Sequence, residues 1–365
     1  MAQWEMPLKV KGERVWRTWP GGRELDRLHG VVPPRDGFFP EEWMLSTTRA
    51  RNVGREEVEE GICYLAGSDE RASLKQLLER HPREMLGERH AGKYGSETGI
   101  LVKLIDAQAR LQLQAHPDKP TEKRLFQSEY GKTECWHILG LRSDSEEEPC
   151  LYLGFRPGIE KAAWRECFLR QDSDGMLSML NRIVPETGQT FIVHGGVPHA
   201  IGGGCFLMEI QEPTDLTIRL EKKMPYGPEL SDAACHQGLG FERMFDCFTY
   251  EGKSTAEAID AWRIESRLIA ETDAYRIERL VGYEVTECFW MERITISGNM
   301  PFPPGDTFSG LYVRKGSGRL HMPDTVLELL PNDQVFIPAL CKGFAIESNR
   351  GESMHLLRFG GPKIL

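Results

Sequence analysis

Gln114 and His116 place an amide and an imidazole two residues apart in the run Leu111-Gln112-Leu113-Gln114-Ala115-His116. Residues i and i+2 of a strand share a face. Leu111 and Leu113 are therefore expected on one side, and Gln112, Gln114 and His116 on the other. Lys132-Thr133-Glu134 repeats the spacing with an ammonium and a carboxylate. Two neighbouring strands of this kind gather an amide, an imidazole, a carboxylate and an ammonium in one cavity, which describes a metal site with a cation beside it. His199, in Val197-Pro198-His199-Ala200-Ile201-Gly202-Gly203-Gly204, is a fourth candidate ligand, because glycines let the backbone pass close to a bound group. Imidazole and carboxylate suit zinc, although a mixed nitrogen and oxygen set also accepts other divalent ions. Any one of these residues alone is more often a satisfied buried polar group. The four together, with Lys132 on the face of Glu134 and with Glu209 and Arg219 on polar strand faces, favour the metal site.

The elements that must position these groups follow from sequence period. The stretches 101–118 and 132–139 read as strands, as do 191–204, 205–212 and 216–223. In the last two, Phe206, Met208 and Ile210 oppose Leu207, Glu209 and Gln211, while Leu216, Ile218 and Leu220 oppose Thr217, Arg219 and Glu221. A helix is expected from Ser73, which has capping-box spacing to Gln76, an apolar face of Leu74, Leu77 and Leu78, and a limit at Pro82. Residues 158–185 and about 228–263 carry helical periodicity, and the acidic segment 143–150 reads as a surface loop. From there to the end, short strands punctuated by Gly, Pro, Asn and Asp indicate a sandwich or barrel. The expected fold is mainly β, with two β-barrels and helical insertions around the first. Residues 1–154 plus 186–227 form the first barrel, 155–185 and 228–264 the insertions, and 265–365 the second barrel.

A chain of 365 residues is too long for one ordinary core. Its net charge of −10 argues against nucleic acid as a partner, since phosphate backbones need a basic field. The first residues lack the apolar stretch of a signal peptide, and no apolar run approaches a membrane span. Nine cysteines, scattered singly and without a C-x-x-C pair, read as reduced thiols in a cytoplasm. No membrane partner is expected, and composition leaves the oligomeric state open.

LQLQAHPDK, GKTECW and PHAIGGG followed by EIQEPTDLTIRL resemble the type I phosphomannose isomerases, a zinc-dependent family of the cupin superfamily. The resemblance extends to Glu42-Trp43, to LVKLIDAQ and to the C-terminal region, and so covers nearly the whole chain. It implies two cupin-like barrels of jelly-roll type and one Zn2+ per chain in the first, held by Gln114, His116, Glu134 and His199. It also implies interconversion of mannose 6-phosphate and fructose 6-phosphate through a cis-enediol. Arg219 matches the family's active-site arginine, and Lys132, Lys103 and Glu209 match positions that line the substrate pocket. Moving a proton between C1 and C2 requires a base, for which Glu209 is the candidate. Lys103, Lys132 and Arg219 are the cations able to hold a phosphate or an enediolate.

Departures from the family pattern bear on substrate. Gln112 stands where a small hydroxyl residue is usual, and Leu220-Glu221-Lys222-Lys223 replaces the aromatic and acidic run that often follows the arginine. Gln112 and Lys119 are candidate substrate-binding residues. His137 and His194 read as structural, and His321 and His355 lack a ligand-spaced partner, so the second barrel reads as scaffold. Three alternatives stay open: a sugar-phosphate sensor that kept the metal but lost turnover, an isomerase of another sugar, and a cupin metalloenzyme such as an iron dioxygenase.

Overall fold

A computed structural model describes residues 2–52, 54–67 and 72–364. The chain is mainly β, with two cupin-like barrels, each made of two antiparallel sheets packed face to face. In the first barrel a seven-stranded sheet runs in the order Arg263–Ile264, Thr190–Val193, Glu134–Leu141, Cys205–Gln211, Leu101–Asp106, Glu41–Met44, Glu13–Val15. A five-stranded sheet faces it, in the order Ile218–Arg219, Gln114–Ala115, His199–Ile201, Leu151–Phe155, Leu180–Ile183.

Alternation on the five-stranded sheet separates structure from site. Ala115, Phe155, Ala200 and Ile218 point outward into a cluster with Trp164, Phe168, Met176 and Phe245, which belong to the helical segments. The neighbouring residues Gln114, His199 and Arg219 therefore face the barrel interior. Register aligns them, since His199 pairs with Gln114 and Gln114 with Arg219. On the opposite sheet Lys103 pairs with Glu209, and Glu209 with Trp136. The central strands of that sheet are covered on both faces, which is why Leu101–Asp106 is buried at every position.

The second barrel joins an eight-stranded sheet, which includes Trp290–Ile296, Ser309–Lys315, Gln334–Ile337 and Met354–Gly360, to a four-stranded one. Ile294, Leu311, Leu320, Val335, Ile346 and Leu356 fill it. The strand Leu8–Lys11, expected with the first barrel, instead lies between Gln334–Ile337 and Tyr64–Leu65 in this sheet. Burial of Val10 and ladder bonding on both edges favour that position.

Other expectations are sharpened. The stretch 101–118 is not one strand. The chain leaves the sheet after Asp106, whose carboxylate accepts from Gly22 N, Glu24 N and Arg142, and pairs again only at Gln114–Ala115. Of 216–223, only Ile218–Arg219 is paired, because the Glu221 carboxylate turns to the Leu113 amide and Arg110. The stretch 191–204 divides at a turn into Thr190–Val193 and His199–Ile201. The insertions hold the helices Lys161–Arg170, Ser173–Ser178 and Thr255–Trp262, but their ends return to the sheets as Leu180–Ile183 and Arg263–Ile264. The helix Leu74–Arg80 starts where expected, with Ser73 Oγ accepting from the Gln76 amide. No helix among the described residues is long and apolar enough to cross a membrane.

Candidate metal centre and active-site cavity

Glu134 and His199, each opening a strand, come together with His116, just past the strand Gln114–Ala115, with ligand atoms within 4.8 Å of one another and all three side chains buried. His116 Nε2 lies 3.1 Å from Glu134 Oε1, and His199 Nε2 lies 3.7 Å from Glu134 Oε2. The far nitrogen of each imidazole faces a main-chain carbonyl: His116 Nδ1 is 2.9 Å from Leu216 O, and His199 Nδ1 is 2.9 Å from Val197 O. Donation from Nδ1 sets the tautomer, so both rings present the Nε2 lone pair to the centre. Gln114 adds its amide 3.3 Å from His199 Nε2. Rotation of the amide by half a turn brings its oxygen to the same point.

Electrostatics supports a cation here. Burial, then the Lys132 ammonium, brings the His116 imidazole down to a pKa of about 3, and burial lowers that of His199. Burial alone would raise Glu134, but Lys132 and His116 outweigh it and hold the carboxyl well below the usual range. Two neutral imidazoles and a carboxylate are the protonation states that a divalent ion requires. Both Glu134 oxygens are buried without a well-formed hydrogen bond, although Lys132 Nζ stands 2.8 Å from Oε1. A buried carboxylate left in that state is strongly unfavourable unless it is paired. The donor set fits a divalent ion.

A cavity of about 1020 Å³ opens beside this cluster, and Gln114, Glu134, Lys103, Lys132, Glu209 and Arg219 line it. Lys103 Nζ lies 3.0 Å from Glu209 Oε1 and donates to Gln211 Oε1 at 2.8 Å. Trp136 Nε1 donates to Glu209 Oε2 at 3.1 Å. Burial, then the charge of Glu134, raises the Glu209 pKa. Arg219 has no carboxylate partner among the described residues; its guanidinium donates to the carbonyls of Thr217 and Ala234, each at 3.3 Å.

Eight of the ten residues singled out from sequence line the cavity or the cluster behind it. Gln112 is a ninth, but its amide donates to the Glu221 carbonyl at 3.1 Å, fastening it to the wall. Lys119 differs: it is exposed at the start of the helix Lys119–Phe126 and stands outside the cavity lining. That helix is capped by Asp118, and in its first turn Lys119 faces solvent while Glu122 is turned inward. His137 is buried against Thr190 Oγ1 at 2.9 Å, while His194 is exposed.

Several cavity residues went unread in the sequence. Arg17 bridges Glu41 at 2.9 Å and Asp215 at 3.5 Å. Burial would raise Asp215, but Arg17 outweighs it and, with Lys103 and Lys132, brings the carboxyl down to about 2. Glu122 lines the cavity fully buried, with neither oxygen hydrogen-bonded. Arg17 and Asp215 are 198 residues apart and sit in loops. Asp215 follows Glu212-Pro213-Thr214, a polar turn after a strand that bears a site residue, and this was the one local signal available.

The sequence pattern described as phosphomannose isomerase type I, catalytic domain, matches residues 60–134. A Bacillus subtilis protein named probable mannose-6-phosphate isomerase GmuF is 28% identical over 335 residues, covering 92% of this chain and 93% of that protein. Mannose-6-phosphate isomerase ManA of the same organism is 26% identical over 347 residues, 93% of this chain and 96% of the relative. Among solved structures, the mannose 6-phosphate isomerase from Bacillus subtilis superposes with a TM-score of 0.73 at 22% identity, over 97% of this chain and 99% of that one. The apo form from Salmonella typhimurium gives 0.72 at 15% identity over 100% of both chains. The catalytic-domain pattern over residues 60–134 and relatives over nine-tenths of the length make this chain similar to the type I phosphomannose isomerases.

Proposed function

We propose that this chain is a zinc-dependent aldose–ketose isomerase that interconverts mannose 6-phosphate and fructose 6-phosphate through a cis-enediol. The observation that carries the reading is the convergence of Gln114, His116, Glu134 and His199 on one wall of a cavity whose other walls hold Lys103, Lys132, Glu209 and Arg219. These four are the residues that would hold the ion. When bound, a divalent ion polarises sugar oxygens and orients the substrate.

The chain's own side chains account for the remaining chemistry. Glu209 takes the C2 proton and returns it to C1, while the hydroxyl proton on O2 is lost and O1 gains one. Lys103 beside Glu209 sets the position of that carboxylate. Lys132 and Arg219 balance charge on O1 and O2 as the enediol forms, in a buried setting where fixed cations act strongly. Gln112, the departure that suggests a binding-only protein, is bonded to the wall at the Glu221 carbonyl. The nine cysteines, all free, support a reducing cytoplasmic setting. The division into a catalytic barrel, helical insertions and a second barrel is part of the proposal, with Leu8–Lys11 assigned to the second.

The test is a coupled assay for fructose 6-phosphate from mannose 6-phosphate, using zinc-loaded and chelated protein. Chelator-sensitive turnover is the expected result. Stoichiometric zinc with no product would replace the mannose 6-phosphate reading with an isomerase of another sugar or a sensor, and oxygen consumption restored by Fe(II) would replace it with an oxygenase.

A further inference from the structure

The positive charge on the cavity wall falls into two groups. Arg17, Lys103 and Lys132 each have a carboxylate within 3.5 Å: Glu41 and Asp215, Glu209, and Glu134 respectively. Arg49, Arg51 and Lys75 also line the cavity and are exposed, yet among the described residues none of them has an ion-pair partner. The Arg49 guanidinium donates to the main-chain carbonyls of Glu56 and Val58. In a chain of net charge −10, a group of cations facing a cavity without acidic partners runs against the prevailing charge.

The segment bearing two of these cations is firmly held. Ala50 N donates to Glu60 O at 2.9 Å, and Arg51 N donates to Asp215 Oδ2 at 3.0 Å. Asn52 is bonded on both sides of its amide, accepting from Arg17 Nη1 at 3.0 Å and donating to Glu60 Oε2 at 3.0 Å. The main chain at Arg51 is thus held by the Asp215 carboxylate, while its exposed guanidinium has no carboxylate partner among the described residues. A guanidinium with free donors matches two oxygens of a phosphate held in the cavity it lines. Arg219, likewise without a carboxylate, lines the same cavity.

We propose that residues 47–52 form the subsite for the substrate's phosphate. Arg51 is the residue that selects a phosphorylated hexose over a free one, with Arg49 and Lys75 beside it. The inference rests on the isomerase reading and names its specificity determinant. A six-carbon phosphorylated sugar carries its phosphate at the end opposite C1 and C2, so the anion subsite and the ion cluster belong to different walls of one cavity.

The experiment compares wild type, Arg51→Ala, Arg51→Lys and the Arg49→Ala/Arg51→Ala double variant, all zinc-loaded and matched by circular dichroism. For Arg51→Ala, the expected preference for mannose 6-phosphate over mannose, as a ratio of kcat/KM, falls about tenfold. Most of the loss is in KM, the double variant loses more, and Arg51→Lys recovers part. Inorganic phosphate, titrated calorimetrically against each protein, weakens by a similar factor. Equal losses for mannose and mannose 6-phosphate, or unchanged phosphate binding, overturn the proposal. If no protein turns over either sugar but phosphate binds wild type and not the variants, the subsite stands and the isomerase reading falls.

Discussion

His116 and His199 are held by their Nδ1 contacts to main-chain carbonyls, so what each contributes to the centre is one oriented lone pair. Glu134 supplies the charge. Glu134→Ala removes the only carboxylate of the cluster and leaves Lys132 and His116 facing each other, with Nζ 3.0 Å from Nε2. Zinc content measured by atomic absorption is expected to fall from one per chain to near zero, and turnover to fall by about a thousandfold or more. Full activity without metal would remove the cluster from the mechanism. Arg219 acts differently. Its guanidinium is tied only to carbonyls, so Arg219→Ala is expected to keep zinc while kcat drops roughly 10²–10³-fold, as when one charge-stabilising donor is lost. A near-normal kcat would place Arg219 outside the reaction.

At the scale of elements, the helix Lys119–Phe126 shows how a local signal and a tertiary cost meet. Asp118 caps it, accepting from the Thr121 amide at 2.9 Å. That same start fixes Glu122 inside the protein, where burial, then the charge of Glu212, raises its pKa to about 7 despite some relief from Lys132. Below the ordinary carboxyl range both folded and unfolded states hold the proton, and Glu122 costs nothing. As pH rises from about 4.5 to 7 the unfolded chain releases its proton and the folded chain does not, so stability declines across that window and then levels off. Glu122→Gln, permanently neutral, is expected to match wild type in denaturant titrations at pH 4.5 and to exceed it at pH 8 by about 2 kcal/mol. Equal stabilities at both pH values would show that Glu122 finds a partner in solution.

Across the whole molecule, Leu8–Lys11 ties the start of the chain to the far barrel. It pairs with Gln334–Ile337 on one edge and Tyr64–Leu65 on the other, and Lys9 Nζ lies 2.6 Å from Asp333. Gln334 in turn donates to Glu42 Oε1 at 2.8 Å, next to the first barrel's Trp43. The two barrels therefore share both chain and hydrogen bonds, and wild type is expected to unfold in one calorimetric transition. A variant lacking residues 1–12 is expected to melt lower and to resolve into two transitions, as the second barrel loses a paired strand. A single unshifted transition would show that the strand adds nothing to the coupling.

The sequence by itself determined what short range can determine. The i, i+2 spacing of Gln114 with His116 and of Lys132 with Glu134 was legible because side-chain direction in extended chain depends only on neighbouring residues. The Ser73 cap and the helices of the insertions were legible for the same reason, and the motif order of the resemblance supplied the barrels. Tertiary structure alone decided the rest. Gln114 meets His199 across 85 residues and Arg17 meets Asp215 across 198, partnerships that register and loop closure create and that no local period encodes. It also decided where strands stop, since pairing ends at Asp106 and before Glu221, whose carboxylates satisfy distant amides and guanidinium groups. Lys119, one residue into a helix in which Glu122 turns inward, was sent to solvent by that same helix. Alternation alone could not anticipate this, because a buried carboxylate and an exposed ammonium on one helical turn are sorted by what packs against it.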